Sequence, residues 1–510
     1  MTYIWPEELS ASDGGVITSA EKAIKSRTQH LLVCLLLVLI GVFYCATIRP
    51  GHNWGDDFAL YIHHAENIAK GHAYADTGYI YNRAFTAVGP RTYPPVFPLL
   101  LAPVYYLYGM NLTAMKVEGV LLFLLTLLAV YAFFRNELPF PYMLAMLVLL
   151  GLNPFFWKTK DNIESDLPFL WFFYLSVNLV HYEHKNSSSW WRWAALTGLA
   201  LYLCCGTRTI GVMLLPGLAL YDLLQWRRLT RFTLMAGTIC VALLFAQRLL
   251  IGAGESSYAD QFHPTAAMFA HNGVRYTKDL LTLWYPGPSM LYARVFFGLT
   301  IALALAGAYI RFRKGWTVLE YFLVFYLLFV ILWPFSLGIR SLLPLIPLYL
   351  YYTLLGMLAL TRRRGSWAPA AALGALLVVV GIDYASTYRK ADFGVIPEVN
   401  GRPSFNELCQ FVRESTSPND VFLIWRPRAF SLFTDRPASI YALTGASNDD
   451  DALWHYIAQI HAHYIVTSNV FDDDRRFLNP FVERNRRKLD LVFQDSEFRV
   501  YRIKRFVSTL

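Results

Sequence analysis

Apolar runs of membrane-spanning length recur from Leu31 to about Tyr384, and that recurrence limits what the chain can become more than any other feature. A spanning helix needs about 20 mostly apolar residues. The runs fall at 31–48, 114–134, 141–156, 167–182, 193–205, 210–225, 232–251, 290–310, 317–335, 342–360 and 368–384. Charged residues are only 16% of the chain, against roughly 25% in soluble domains. The pattern predicts a polytopic α-helical membrane protein with about eleven transmembrane helices in a lipid bilayer. The net charge of +9 does not point to nucleic acid, because Lys and Arg lie mostly in short loops where they orient helices. No nucleic-acid partner is expected.

Residues 1–30 are polar, with Lys22, Lys25 and Arg27 just before the first run. The segment is too long, and its cleavage context too poor, for an ordinary signal peptide. It reads as a cytoplasmic segment before a retained span. The stretch Val96–Tyr108 is apolar but short, and Pro98 and Pro103 interrupt it. It is expected to lie at the interface or to re-enter rather than cross. Lys185/Arg192, Arg227/Arg228/Arg231, Arg311/Arg313/Lys314 and Arg362/Arg363/Arg364 then share the N-terminal side, while Asp56, Asp57, Asp161, Glu164 and Asp166 share the other.

Residues 31–386 form the transmembrane domain, with 49–112 as its first external loop. From about 387 to 510 the composition turns charged. Helices are expected at 404–414, 449–461 and 475–488, and strands at 421–425, 438–441, 464–467 and 491–503. That alternation predicts a C-terminal soluble α/β domain on the side of the acids. It has no Gly-rich phosphate loop. The loop 252–288 has no readable motif. Cys34, Cys45, Cys204, Cys205 and Cys240 fall within apolar runs and Cys409 stands alone, so neither a disulfide framework nor metal-ligand spacing is present.

The polar stretch 53–61 directly follows the first run and sets two adjacent carboxylates, Asp56 and Asp57, close to a membrane surface. A helix is expected from Phe58 to Lys70, stopped by Gly71. Acids at the mouth of a membrane protein are costly unless solvated, paired or used. The plain reading makes the pair an N-cap and first-turn acid. His52, His63, His64 and His72 share the loop, but His63 and His64 point about 100° apart on a helix, so they read as incidental rather than as metal ligands.

The ordered set Asp56-Asp57, Tyr61, Ala65, Ile68-Ala69-Lys70-Gly71, Tyr93-Pro94-Pro95 and Leu107-Tyr108-Gly109 resembles the first external loop of GT-C membrane glycosyltransferases. The branch of protein O-mannosyltransferases and the lipid A aminoarabinose transferase is the nearest in character. The resemblance continues through Asn153-Pro154, Asp166-Leu167-Pro168 and Arg208, and weakly at Arg340. It covers roughly 54–228 by motif and the remainder by architecture. It implies an inverting transferase whose sugar donor is linked to polyprenyl (undecaprenyl) phosphate, with a glycan, lipid or protein acceptor. It also implies a bacterial inner membrane, with the active face toward the periplasm or exterior. The family's leading acid matches Asp56, which makes it the expected base, and Asp57 is its neighbour or substitute where the family often has Glu. Asp166 matches the second external acid, which orients the acceptor or, in some relatives, binds metal. A divalent cation, Mg or Mn, is therefore left open.

A sugar on a lipid phosphate carries its own leaving group, so no strong general acid is needed, unlike glycoside hydrolysis. The reaction asks for a carboxylate that takes the acceptor proton late and a cation that meets the charge growing on phosphate. Asp56 or Asp57 suits the first role. Arg208 and Arg340 suit the second, with Arg91, Arg83 and Lys70 as rivals. Against these stand a solvated Asp166 beside Lys158 and Lys160 and a snorkelling Arg208. A transporter or a lipid-linked-sugar flippase is the alternative class. It would favour ionisable groups at mid-membrane and internal repeats, whereas here the acids sit in loops and no repeat is evident.

Overall fold

The computed structural model describes residues 19–85, 88–183, 189–251, 262, 264–284, 290–334, 336, 338–441 and 450–504. Residues 1–18 of the N-terminal segment, Lys185, Phe335, Asp449 and much of the loop 252–288 lie outside them.

Every apolar run carries helix. The helices are Ser19–Ala46, Leu112–Phe134, Phe140–Gly151, Asp166–Glu183, Trp190–Thr207, Leu214–Trp226, Arg231–Ile251, Met290–Lys314, Val318–Leu332, Ile346–Arg362 and Ala368–Arg389. Among the described residues, 7 helical stretches are long and apolar enough to cross a membrane. They present large apolar side chains outward, as at Leu35, Val38, Val241, Phe245, Leu299 and Leu305. Such faces are stable only against lipid, so the chain is a multi-pass membrane protein.

One expected element changes form. The run 141–156 breaks at Asn153, whose Oδ1 accepts from the Phe155 amide at 2.9 Å and starts a separate helix, Pro154–Thr159. Val96–Tyr108 is a helix of 13 residues, about 20 Å long and short of a hydrocarbon core of about 30 Å. It packs on the helix Asp57–Lys70, with Tyr61 against Phe97 at 4.9 Å between ring centroids. A further helix, Ala266–Leu281, occupies the loop that had no readable motif.

Two glycines set one of the closest crossings in the bundle. A Cβ on Gly307 would lie 2.0 Å from the Tyr352 carbonyl oxygen, and one on Gly356 would lie 2.0 Å from that of Leu303. Helices Met290–Lys314 and Ile346–Arg362 can approach this closely only without those side chains.

The C-terminal region builds a sheet of 6 strands in the order β1-β3-β2-β4-β6-β5. The strands are β1 (Tyr79–Ile80), β2 (Phe422–Leu423), β3 (Ala438–Ser439), β4 (Tyr464–Ser468), β5 (Leu489–Gln494) and β6 (Phe498–Ile503). The pairings β1–β3, β3–β2 and β2–β4 are parallel, and β6 runs antiparallel to both β4 and β5. The stretch expected as one strand at 491–503 is the β5–β6 hairpin. Asp495 Oδ1 accepts from the Glu497 and Phe498 amides at 2.7 and 2.6 Å and turns the chain. The single helix expected at 475–488 is interrupted at Pro480, which has no N–H to continue the ladder. It divides into a π-helical turn, Asp474–Leu478, the helix Asn479–Arg484 and a 3₁₀ turn, Arg486–Lys488.

The edge strand β1 belongs to the first loop. The Ala438 amide donates to the Gly78 carbonyl at 2.9 Å, and Asn82 Nδ2 donates to the Ile440 carbonyl at 3.0 Å. Trp54 lies edge-on to Phe405 and Phe471, each at 5.0 Å, and its amide donates to Glu398 at 2.7 Å. The loop and the C-terminal region thus share one core.

Candidate functional site

The polar residues gather at one end of the bundle. Asp57 opens the helix Asp57–Lys70, where an acid meets the positive end of the helix dipole. Gly71 closes that helix in the left-handed conformation, φ 70°, as its position predicted. Tyr61 lies one turn on, on the same face. Its hydroxyl donates to Ser165 Oγ at 2.9 Å, and its ring stacks on Tyr93 at 4.7 Å. The Tyr93 hydroxyl donates to Asp57 Oδ1 at 2.6 Å. The Asp57 side chain remains 41% exposed.

Ser165 sits between the two other acids of the site. Asp166 is buried, and its oxygens are divided between two arginines. Arg208 Nη1 donates to Oδ1, while Arg340 donates to Oδ2 through Nε at 3.2 Å and Nη2 at 2.6 Å. Arg340 also lies 2.8 Å from Glu164 Oε2. Burial raises the Glu164 carboxyl to about 8 against the pull of Arg340, and the charges of Asp166 and Asp57 add to the rise. Asp57 is therefore near enough for its field to reach Glu164. Gly55 closes the gap, since a Cβ there would stand 3.9 Å from Glu164 Oε1. The arginine side chains keep part of their surface free, 19% for Arg208 and 32% for Arg340.

Asp56 points elsewhere. It is buried, its Oδ1 accepts from the Ala429 amide at 3.0 Å, and its Oδ2 accepts from the Arg428 amide at 3.4 Å. Burial pushes its carboxyl up despite Arg428, Arg426 and the two amides. The adjacent acids are thus assigned different surroundings, one sealed and one open.

Of the rival cations, Lys70 lies apart from this cluster. Lys70 ends the helix that Asp57 begins, about 20 Å away along the axis, and pairs with Glu66 at 2.5 Å on the surface. Arg83 is exposed, and Arg91 is half-buried beside Pro90. Arg428, which no local pattern singles out, enters from the C-terminal region. Its Nη1 donates to Asp57 Oδ1 at 3.2 Å and to the Tyr93 hydroxyl at 2.9 Å, and its Nη2 donates to the Pro90 carbonyl at 2.7 Å.

His52 and His64 hold backbone. His52 Nε2 accepts from the Ile163 amide at 3.0 Å, and His64 Nε2 accepts from the Tyr93 amide at 3.3 Å. Burial lowers both rings to about 3, so they stay neutral acceptors. Two arginines occupy Asp166 and two amides occupy Asp56, so neither of these acids has a free pair of oxygens for a divalent ion. Among the described residues no group of three or more His, Cys, Asp or Glu is placed to hold one.

No family model and no curated protein sequence matches the chain. Solved structures do. ArnT from Cupriavidus metallidurans, bound to undecaprenyl phosphate, aligns with a TM-score of 0.54 at 13% identity, over 92% of this chain and 97% of that one. The chain has the GT-C fold. An oligosaccharyltransferase of Archaeoglobus fulgidus, in complex with Zn and sulfate, shares this fold at TM-score 0.56 and 12% identity, over 86% of this chain and 68% of that one. The mycobacterial arabinofuranosyltransferase AftD shares it at TM-score 0.56 and 14% identity, over 92% of this chain and 42% of that larger one. In this chain, the first loop, the start of helix Asp166–Glu183 and the C-terminal region share one polar end of the bundle.

Proposed function

We propose that the chain is an inverting glycosyltransferase that moves a sugar from a polyprenyl phosphate, undecaprenyl phosphate being the natural candidate, to an acceptor hydroxyl or phosphate. The observation that carries this reading is one open carboxylate, Asp57, joined through Tyr93, Tyr61 and Ser165 to Asp166 and its two partly open guanidinium partners, Arg208 and Arg340. In ArnT the same fold is bound to undecaprenyl phosphate.

The roles follow from the surroundings. Asp57 accepts the proton of the acceptor as its oxygen attacks the anomeric carbon. Attack from the face opposite the phosphate inverts that carbon. Asp166 is the positioning acid that sets Arg208 and Arg340 side by side, so that both meet the oxygens on which charge grows as the glycosidic bond breaks. The lipid chain lies against the apolar helix faces. None of these steps passes through a metal ion.

Sidedness is argued from charge. Arg311, Arg313, Lys314 and Arg362 end helices at the opposite pole from the acids, which by the positive-inside rule puts the site on the non-cytoplasmic face. For a bacterial inner membrane that face is the periplasm. The acceptor is a glycan, a lipid or a protein.

The test begins with mass spectrometry of envelope glycans from cells with and without the protein, which names the sugar. The purified protein is then given undecaprenyl phosphate carrying that sugar, with the envelope fraction from cells without the protein as the acceptor, and released undecaprenyl phosphate is measured. Asp57→Asn is expected to slow release by about 10²–10⁴ with donor binding intact. Wild-type release by Asp57→Asn overturns the assignment.

A further inference from the structure

In the order β1-β3-β2-β4, the chain leaves β2 for β3 on one side and then crosses to β4 on the other. Open parallel sheets take ligands at such a switch point, beyond the carboxyl ends of the strands, and anions settle on the free amides of the helix that starts there. Here that helix is Pro427–Thr434, and its N-cap residue is Arg426, a side chain with no acceptor atom. The amides of Arg428 and Ala429 are bonded instead by Asp56, from 372 and 373 residues away in sequence. The position where such a sheet takes an anionic ligand is filled by the chain's own first loop.

This docking delivers Arg428 to Asp57. The Arg428 side chain is fully buried, lies over the rings of Tyr79 and Tyr93 at 4.7 and 5.0 Å, and leaves its Nε without a partner among the described residues. Burying a guanidinium this way is a poor means of stabilising a fold, because desolvation offsets the attraction. What it does achieve is orientation. The bonds from Arg428 and Tyr93 both fall on Asp57 Oδ1, and among the described residues no bond falls on Oδ2. One oxygen is pinned and the other is left for the acceptor.

We propose that the C-terminal domain is a working part of the active site, with Arg428 and Tyr93 as positioning residues that fix the rotation of the Asp57 carboxylate. The proposal rests on Asp57 being the base. Its test uses the full chain in lipid nanodiscs with undecaprenyl phosphate carrying the sugar named by the glycan analysis. Tyr93→Phe removes only the hydroxyl and keeps the stack on Tyr61. Arg428→Lys keeps the charge and loses the fork. Each is expected to lower kcat by about 10- to 100-fold with donor KM within about twofold. The double variant should be no slower than the slower single one, because both act on one carboxylate. Arg428→Ala should regain part of its kcat when free guanidinium ion is added. If Asp57→Asn is inactive while Tyr93→Phe and Arg428→Lys turn over at the wild-type rate, or change thermal stability alone, the positioning role is overturned. If Asp57→Asn itself is active, it is the functional reading that falls.

Discussion

The two neighbouring acids should respond very differently to the same conservative change. Asp56 accepts two helix amides at 3.0 and 3.4 Å. An N-cap of this kind contributes about 1 kcal/mol, and a carboxylate at a partly buried helix start adds up to about 2 kcal/mol. Burial works against the charge and raises the Asp56 carboxyl above its ordinary value, so the ionised form gains less than its bonds suggest. Asparagine keeps the shape and one accepting oxygen while avoiding that desolvation. Asp56→Asn should therefore cost no more than about 1 kcal/mol, whereas Asp56→Ala strands buried amides and should cost about 2–3 kcal/mol. Turnover by Asp56→Asn should stay within about tenfold of wild type, since tenfold is about 1.4 kcal/mol of barrier. Thermal unfolding followed by tryptophan fluorescence in detergent gives the first quantity, and release of undecaprenyl phosphate gives the second. The reasoning is refuted if Asp56→Asn unfolds like wild type yet is as inactive as Asp57→Asn.

Three further outcomes follow, two inside the cluster and one outside it. With its carboxyl raised from 4.5 to about 8 by burial, Glu164 keeps a proton in the native state that the unfolded chain gives up. Stability should therefore decline as pH rises from about 4.5 to about 8. Glu164→Gln should flatten that decline in thermal melts across the range while retaining activity at neutral pH. Lys70→Ala should leave turnover unchanged and shift stability by at most about 0.5 kcal/mol, as for exposed ion pairs, whereas Arg340→Lys should raise the donor KM by about tenfold through loss of its fork.

The spans were legible because a bilayer demands long apolar runs, and each run left that mark whatever its neighbours. Asp166, Arg208 and Arg340 could be named because each stands at the end of such a run, where a charge needs a reason. Their mutual pairing was not written locally and emerged from packing. Lys70 looked equivalent by sequence, yet a helix of 14 residues carries its two ends too far apart to serve one site. Arg428 escaped notice for a different reason. The helix Pro427–Thr434 has only 8 residues, too few to display a period. Pro427 shortly after a strand, followed by Ala429, Phe430 and Leu432, was the one available cue. The hairpin at Asp495 was missed because apolar residues on both sides masked a turn that depends on one carboxylate.

The pairing of β1 with β3 also sets a clock. Ser439 Oγ donates to the Ile80 carbonyl across 359 residues. At about 5–20 residues per second of synthesis, the first loop waits roughly 20–70 s before its partner strand exists. Until then Asp56 has no amides to accept and Asp57 has no guanidinium beside it. A half-made chain can already sit in lipid, yet its two acids lack the partners that the C-terminal region brings to them.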